Sequence, residues 1–311
     1  MASVKVESLT PPMILGEGPH WDQEAAVLYF VDLHGSTLNK YDPATGKHTS
    51  TKKFDERCVG FSIPIQGQEN KFAVGVGRDL AIITWNGENG GPQNIETILT
   101  IETDPDQSGN RFNDAKADPN GRLWAGSMGA MIKPGEFERE CGSLYSISKE
   151  RNVVTHVTKV GISNGLAWSK DLKHFFYIDS HITKVFKFDY DAATGSISNR
   201  RSLFDFETHG ISGFPDGMTI DSADNLWVAC FSGGQVICIN SKSGHLIRRV
   251  NIPAPNVTSL AFGGPELDEL YVTTASKNMT QEQLKKYPSA GALFKVTGLG
   301  VKGMPGTAVQ L

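Results

Sequence analysis

Leu123-Trp124-Ala125-Gly126 and Leu226-Trp227-Val228-Ala229 are two copies of one short apolar run, each preceded by a polar turn: Pro119-Asn120-Gly121-Arg122 before the first, Ser222-Ala223-Asp224-Asn225 before the second. Bulky β-favouring residues bounded by such clusters read as strands. Working outward, runs of the same kind begin at Leu28 (Leu28-Tyr29-Phe30-Val31), Phe72 (Phe72-Ala73-Val74-Gly75), Phe176 (Phe176-Tyr177-Ile178) and Leu270 (Leu270-Tyr271-Val272-Thr273). A second run follows most of them, as in Leu38-Asn39-Lys40-Tyr41, Leu144-Tyr145-Ser146-Ile147, Val185-Phe186-Lys187-Phe188 and Val236-Ile237-Cys238-Ile239. The unit recurs about every 50 residues, a spacing typical of propeller blades. Six units predict an all-β, six-bladed β-propeller of four-stranded blades around a central channel, forming one domain over residues 1–311. A pair of β-sandwiches would give no reason for six evenly phased copies. Helical periodicity is scarce, and Met279 to Lys286 is its best stretch.

The 311 residues carry 30 Lys+Arg against 34 Asp+Glu, a net charge of −4, which argues against a nucleic-acid backbone binder. No apolar run approaches the ~20 residues of a membrane span, and residues 1–10 lack an apolar signal core. Cys58, Cys141, Cys230 and Cys238 show no paired spacing and read as reduced thiols. A cytoplasmic monomer acting on a small molecule is the expectation.

In a propeller, residues at one phase of the repeat meet at one end of the channel. Ten to twelve positions before the strand-like runs stand Glu17, Asn113, Asn164 and Asp216, while the matching regions of the other two units, Cys58 to Phe61 and Val257 to Leu260, offer little beyond Thr258 and Ser259. Two carboxylates and two carboxamides form a hard oxygen set suited to Ca²⁺, Mg²⁺ or Mn²⁺, and four protein donors leave positions open for water and substrate. Glycines beside three of the four read as points where the chain turns tightly or approaches a ligand. The histidines show no pair at metal spacing and read as structural or surface, His181 being the one expected to border the mouth. Trp124, Trp168 and Trp227 recur with the units and are expected to pack blades.

These motifs resemble the senescence marker protein/regucalcin/gluconolactonase family, which includes the insect luciferin-regenerating enzymes. The resemblance runs from Gly16-Glu17-Gly18-Pro19-His20-Trp21 through Asn110 to Asp114, Ile162 to Trp168, Ile197 to Arg201, Pro215-Asp216-Gly217 and Leu226 to Cys230, as far as Thr297 to Gly303. It implies a propeller with one divalent cation (Ca²⁺, Mg²⁺, Mn²⁺ or Zn²⁺) at the channel mouth, held by Glu17, Asn164 and Asp216. It also implies that Asn113 contacts metal or substrate, that Arg111 holds substrate, and that Asp216 is the general base of lactone hydrolysis. One departure stands out: sugar-lactone-hydrolysing members carry acidic residues just after the methionine matching Met128, whereas this chain reads Gly129-Ala130-Met131. A pocket lined by Met128, Met131 and Phe137 favours a flatter or more apolar substrate, and Ile132 to Glu140 reads as a loop able to cover the mouth. Three functions are in contention: a metal-dependent lactonase, an enzyme with the same site acting on a phosphotriester or, in the luciferin-regenerating manner, on oxyluciferin, and a calcium-binding regulator without essential catalysis.

Overall fold

The structure, a computed structural model, describes residues 3–92 and 94–311. Six four-stranded antiparallel sheets form the six blades of a β-propeller. The innermost strands are Gly16–Asp22, Val59–Pro64, Arg111–Ala117, Ser163–Trp168, Phe214–Ile220 and Asn256–Gly263, for blades 1 to 6 in that order. Each of them packs on the innermost strand of the next blade, and blade 6 closes the ring on blade 1. The strand-like runs read from the sequence are the second strands of the blades. Closure has a feature that the repeat did not reveal: the outermost strand of blade 6 is the N-terminal segment Lys5–Ser8, paired antiparallel with Phe294–Thr297. One sheet thus contains both ends of the repeat array, and ring opening requires breaking its hydrogen bonds.

The core lies between blades. Trp124 meets Trp168 edge-on at 5.8 Å across blades 3 and 4, and Trp227 meets Phe262 edge-on at 5.8 Å across blades 5 and 6, which is the packing role expected of these residues. The turns ahead of two of these tryptophans share one device. Asp118, fully buried, accepts from the amides of Asn120 and Arg122 (2.9 and 3.0 Å), from Trp124 Nε1 (3.2 Å) and from the Tyr190 hydroxyl (2.7 Å). Asp221, also fully buried, accepts from the amides of Ala223 and Asn225 (2.9 and 2.8 Å) and from Trp227 Nε1 (3.0 Å). One carboxylate therefore shapes the turn and fixes the indole that packs the next blade.

The expected helix is a single short one, Gln281–Lys286, started by a capping box between Thr280 and Gln283. No helix among the described residues is long and apolar enough to cross a membrane. The four cysteines are free; Cys230 and Cys238 are buried, Cys58 and Cys141 only partly so.

Two outcomes follow from this packing. Asp118→Ala would strand several buried donors and remove the carboxylate that Arg122 Nη1 meets at 3.1 Å, while Arg122 Nη2 keeps the carbonyls of Ala192 and Ala193. The substitution is expected to cost on the order of 3–5 kcal/mol, read from the urea midpoint. His156 stacks on Trp124 at 4.3 Å and contacts the Ser146 hydroxyl at 2.7 Å, and burial lowers its pKa to about 4. The unfolded chain then binds a proton near pH 6.5 that the folded chain refuses, so stability is lost as pH falls from about 6.5 towards 4. His156→Phe is expected to flatten part of that slope in urea titrations at pH 7.5 and 5.

Candidate active site

The innermost strand of every blade carries a register shift against its second strand. The shifts fall at Glu17/His20, Val59/Ser62, Phe112/Ala115, Asn164/Leu166, Pro215/Met218 and Val257/Ser259. A bulge re-aims the side chain beside it. Asn113 and Asp216 lie inside their bulges, Glu17 and Asn164 at the edge of theirs, and all four line one cavity of about 230 Å³ at the channel mouth. In blade 2 the same bulge holds Gly60 and Phe61, and in blade 6 it holds Thr258, so only four blades offer carboxylate or carboxamide oxygens there.

Buried aspartates set the entry to two of these strands. Asp32 accepts from the amides of Ile14 and Leu15 (both 3.0 Å), just before Glu17. Asp179 does the same in blade 4 for Gly161 and Ile162 (3.0 and 3.1 Å), just before Asn164. Asn164 Nδ2 donates to the Ser180 hydroxyl (2.8 Å), and that hydroxyl donates to the carbonyl of Pro215 (2.6 Å), beside Asp216. Ser180 thereby turns the Asn164 carboxamide and joins it to the strand of Asp216. Thr258 likewise donates to the carbonyl of Gly16 (2.6 Å), beside Glu17. Sequence reasoning missed these supports, although Val31-Asp32 and Ile178-Asp179 end their strands at one phase and could have marked two of them.

The neighbouring glycines act differently from the sequence expectation at two of the three positions. Gly18 does turn the chain, with φ of +53°, and its amide donates to Glu17 Oε2 (3.0 Å). Gly165 and Gly217 instead let innermost strands approach. A Cβ on Gly165 would stand 2.7 Å from Met218 Cβ, and one on Gly217 would stand 2.7 Å from Ser259 Cα. They are needed for blade-to-blade contact, which is what draws Asn164 and Asp216 together.

Burial raises the pKa of Glu17 to about 8, with Asp114 adding to it, and burial followed by the Glu17 and Asp114 charges raises that of Asp216 well above the carboxylate range. Two buried carboxyl groups in one cavity, with Arg111 as the cation nearest both, have the donor chemistry that fits a divalent ion. Among the described residues no cluster of three or more His, Cys, Asp or Glu could hold a metal, so carboxamide oxygens would have to complete the set. Asn164 donates through Nδ2 to Ser180, which leaves its Oδ1 on the side of Asn113. Asn113 faces differently: its Oδ1 accepts from Arg111 Nη1 (2.7 Å), while its Nδ2 donates to Ser163 O (2.8 Å) and Asn164 Oδ1 (3.1 Å). That orientation favours a part in fixing Arg111 and Asn164 over direct ligation.

Arg111, Met128, Met131 and Phe137 also line the cavity. Met131 is half exposed at the rim, where Met131–Lys133 pairs with Glu136–Phe137. The segment read as a covering loop is thus a two-stranded hairpin, with Phe137 turned to the mouth. His181 borders the cavity, as expected. His34, read from the sequence as structural or surface, lines it as well, beside Lys277.

Residues 15–276 match the family model described as the SMP-30/Gluconolactonase/LRE-like region. Regucalcin of Gallus gallus is 42% identical over 306 residues, 98% of each chain. Regucalcin of Xenopus laevis is 40% identical over 309 residues, 99% of each chain. Among solved structures, a luciferin-regenerating enzyme superposes with a TM-score of 0.93 at 46% identity, over 99% of this chain and 100% of that one. A calcium-binding regucalcin of Agrobacterium tumefaciens superposes with a TM-score of 0.86 at 25% identity, over 98% and 97% of the two chains. With the propeller, the mouth and these relatives in agreement, the chain belongs to the SMP-30/gluconolactonase/regucalcin family, which includes gluconolactonases and the luciferin-regenerating enzyme.

Proposed function

We propose that this protein is a divalent-metal-dependent hydrolase of internal esters, with Glu17, Asn164 and Asp216 as the metal ligands and Asp216 as general base. The observation that carries the reading is the convergence of two buried carboxyl groups and an oriented carboxamide, from three blades, on one cavity wall. When bound, the cation would polarise the lactone carbonyl and stabilise the oxyanion. The chain's own groups do the rest. Asp216 takes a proton from the attacking water as the new C–O bond forms, and returns it to the ring oxygen as the ring C–O bond breaks, giving a hydroxy acid. Arg111 uses Nη1 on Phe112 O and Asn113 Oδ1, and its Nη2 has no protein partner among the described residues, so it is free to orient substrate. Asn113 keeps that guanidinium in place.

A second reading keeps the site and changes the substrate. Met128, Met131, Phe137 and Phe214 give the cavity an apolar wall, which suits a flat heterocycle such as oxyluciferin better than a polyhydroxylated sugar lactone. The likeness to a luciferin-regenerating enzyme favours it too.

Hydrolysis of sugar, aliphatic and aromatic lactones, followed with a pH indicator, tests both readings. Activity is expected to vanish on chelation and return with Ca²⁺, Mg²⁺, Mn²⁺ or Zn²⁺. No turnover of any lactone with metal binding intact would remove the hydrolase reading and leave oxyluciferin or a purely regulatory calcium site. Asp216→Asn is expected to lower kcat at least about a hundred-fold, and retention of more than about a tenth of the activity would exclude it as base. Ser180→Ala frees the Asn164 carboxamide and is expected to weaken metal affinity about ten- to a hundred-fold by calorimetry, with the urea midpoint reporting any general loss of fold.

A further inference from the structure

The rim of the cavity between blades 1 and 6 holds a group of side chains with no part in the mechanism above. His34 stands in the turn after Val27–Asp32 and Lys277 after Glu269–Ala275, and both line the cavity together with Arg111. Lys277 Nζ donates to His34 Nε2, and His34 Nδ1 lies 3.4 Å from Cys58 Sγ. An imidazole that accepts at Nε2 carries its proton on Nδ1, so His34 is neutral and donates to the Cys58 sulfur. Burial, then the Lys277 and Arg111 charges, hold its pKa down to about 3, so it stays neutral across the physiological range. His34 therefore anchors Lys277 without adding a charge and occupies one of its three ammonium hydrogens. The other two have no protein partner, and Lys277 makes no ion pair among the described residues.

Charge at this mouth is matched in a telling way. Its lining contains two carboxyl groups, Glu17 and Asp216, and two cations, Arg111 and Lys277. Once a divalent ion joins the carboxylates, the cavity has positive charge in excess, with Lys277 and Arg111 free to use it. Half-buried cations with unused donors, aimed into a cavity that excludes much of the solvent, select an anion.

We propose that Lys277 and Arg111 form an anion subsite, positioned by His34, and that the substrate carries an anionic group on the ring carbon next to the ring oxygen of its lactone. The inference rests on the hydrolase reading for that lactone and deepens it: the substrate class is a lactone with a carboxylate or similar group, seated with its apolar body against Met131 and Phe137.

The test uses the Ca²⁺-loaded protein and two kinds of paired probes. Tetrahydrofuran-2-carboxylate and its carboxamide cannot be hydrolysed as lactones and report binding by calorimetry. The lactone 5-oxotetrahydrofuran-2-carboxylate and its carboxamide report turnover. Wild-type protein is expected to bind the acid at least about ten-fold more tightly than the amide, as hydrogen bonds to a charged partner allow. Lys277→Met is expected to collapse that ratio towards one, and Lys277→Arg to keep most of it. Equal binding of acid and amide by the wild type, or a ratio that Lys277→Met leaves alone, would overturn the subsite. Equal binding by the wild type overturns the subsite whether or not a variant folds, and the loss expected in Lys277→Met separates the subsite from a carboxylate that reaches Ca²⁺ directly. Turnover of neither lactone, with the acid still preferred in binding, removes the hydrolase reading and leaves the subsite standing. Turnover of both with equal kcat/KM removes the subsite alone.

Discussion

The extra residue that each innermost strand carries against its neighbour governs where everything else at the mouth can be. A regular strand alternates its side chains between the two faces of the blade, and those faces are packed against other blades. The bulge breaks that alternation at one height in all six blades, and in most of them it aims a side chain at the mouth of the channel. In four blades that residue, or the one at the bulge edge, is a carboxylate or a carboxamide. The site is thus a consequence of backbone irregularity repeated by symmetry, and chemistry is chosen by which residue each copy places there.

Convergence alone would leave the donors loosely aimed, and the supporting shell corrects this with hydrogen bonds that cross blades. Ser180 links Asn164 of blade 4 to the strand of Asp216 in blade 5, and Thr258 of blade 6 holds the carbonyl beside Glu17 in blade 1. Gly165 and Gly217 make such links possible by bringing the strands within reach of one another. A closed ring adds stiffness, because blade 6 is completed by the N-terminal strand. Positioning groups held this way lose little freedom when a ligand arrives.

Burial is the physical reason that a cation would be favoured at the mouth. Glu17 and Asp216 are held in low dielectric with Asp114 close by, so their ionised forms are disfavoured until a positive charge joins them. Arg111 is committed in part to Asn113, and Lys277 is tied to His34 at the rim. Arg111 sits among the acidic groups on a bulged innermost strand, whereas Lys277 reaches the same cavity from the turn after a second strand.

The repeat of strand-like runs and the phase of Glu17, Asn113, Asn164 and Asp216 were legible in the amino-acid order, because blade formation and channel placement are local properties copied six times. Met128, Met131 and Phe137 were legible as a wall only through the family resemblance, in which acidic residues follow the methionine matching Met128. The strand that closes blade 6, the crossing bonds of Ser180 and Thr258, and the pairing of His34 with Lys277 were not. Each joins segments that only ring closure brings together; His34 and Lys277 are 243 positions apart. By itself the sequence determined the architecture and which four polar residues share one cavity. Tertiary structure alone decided how those donors are oriented and which distant charges share their cavity, since orientation depends on contacts between blades that no single repeat contains.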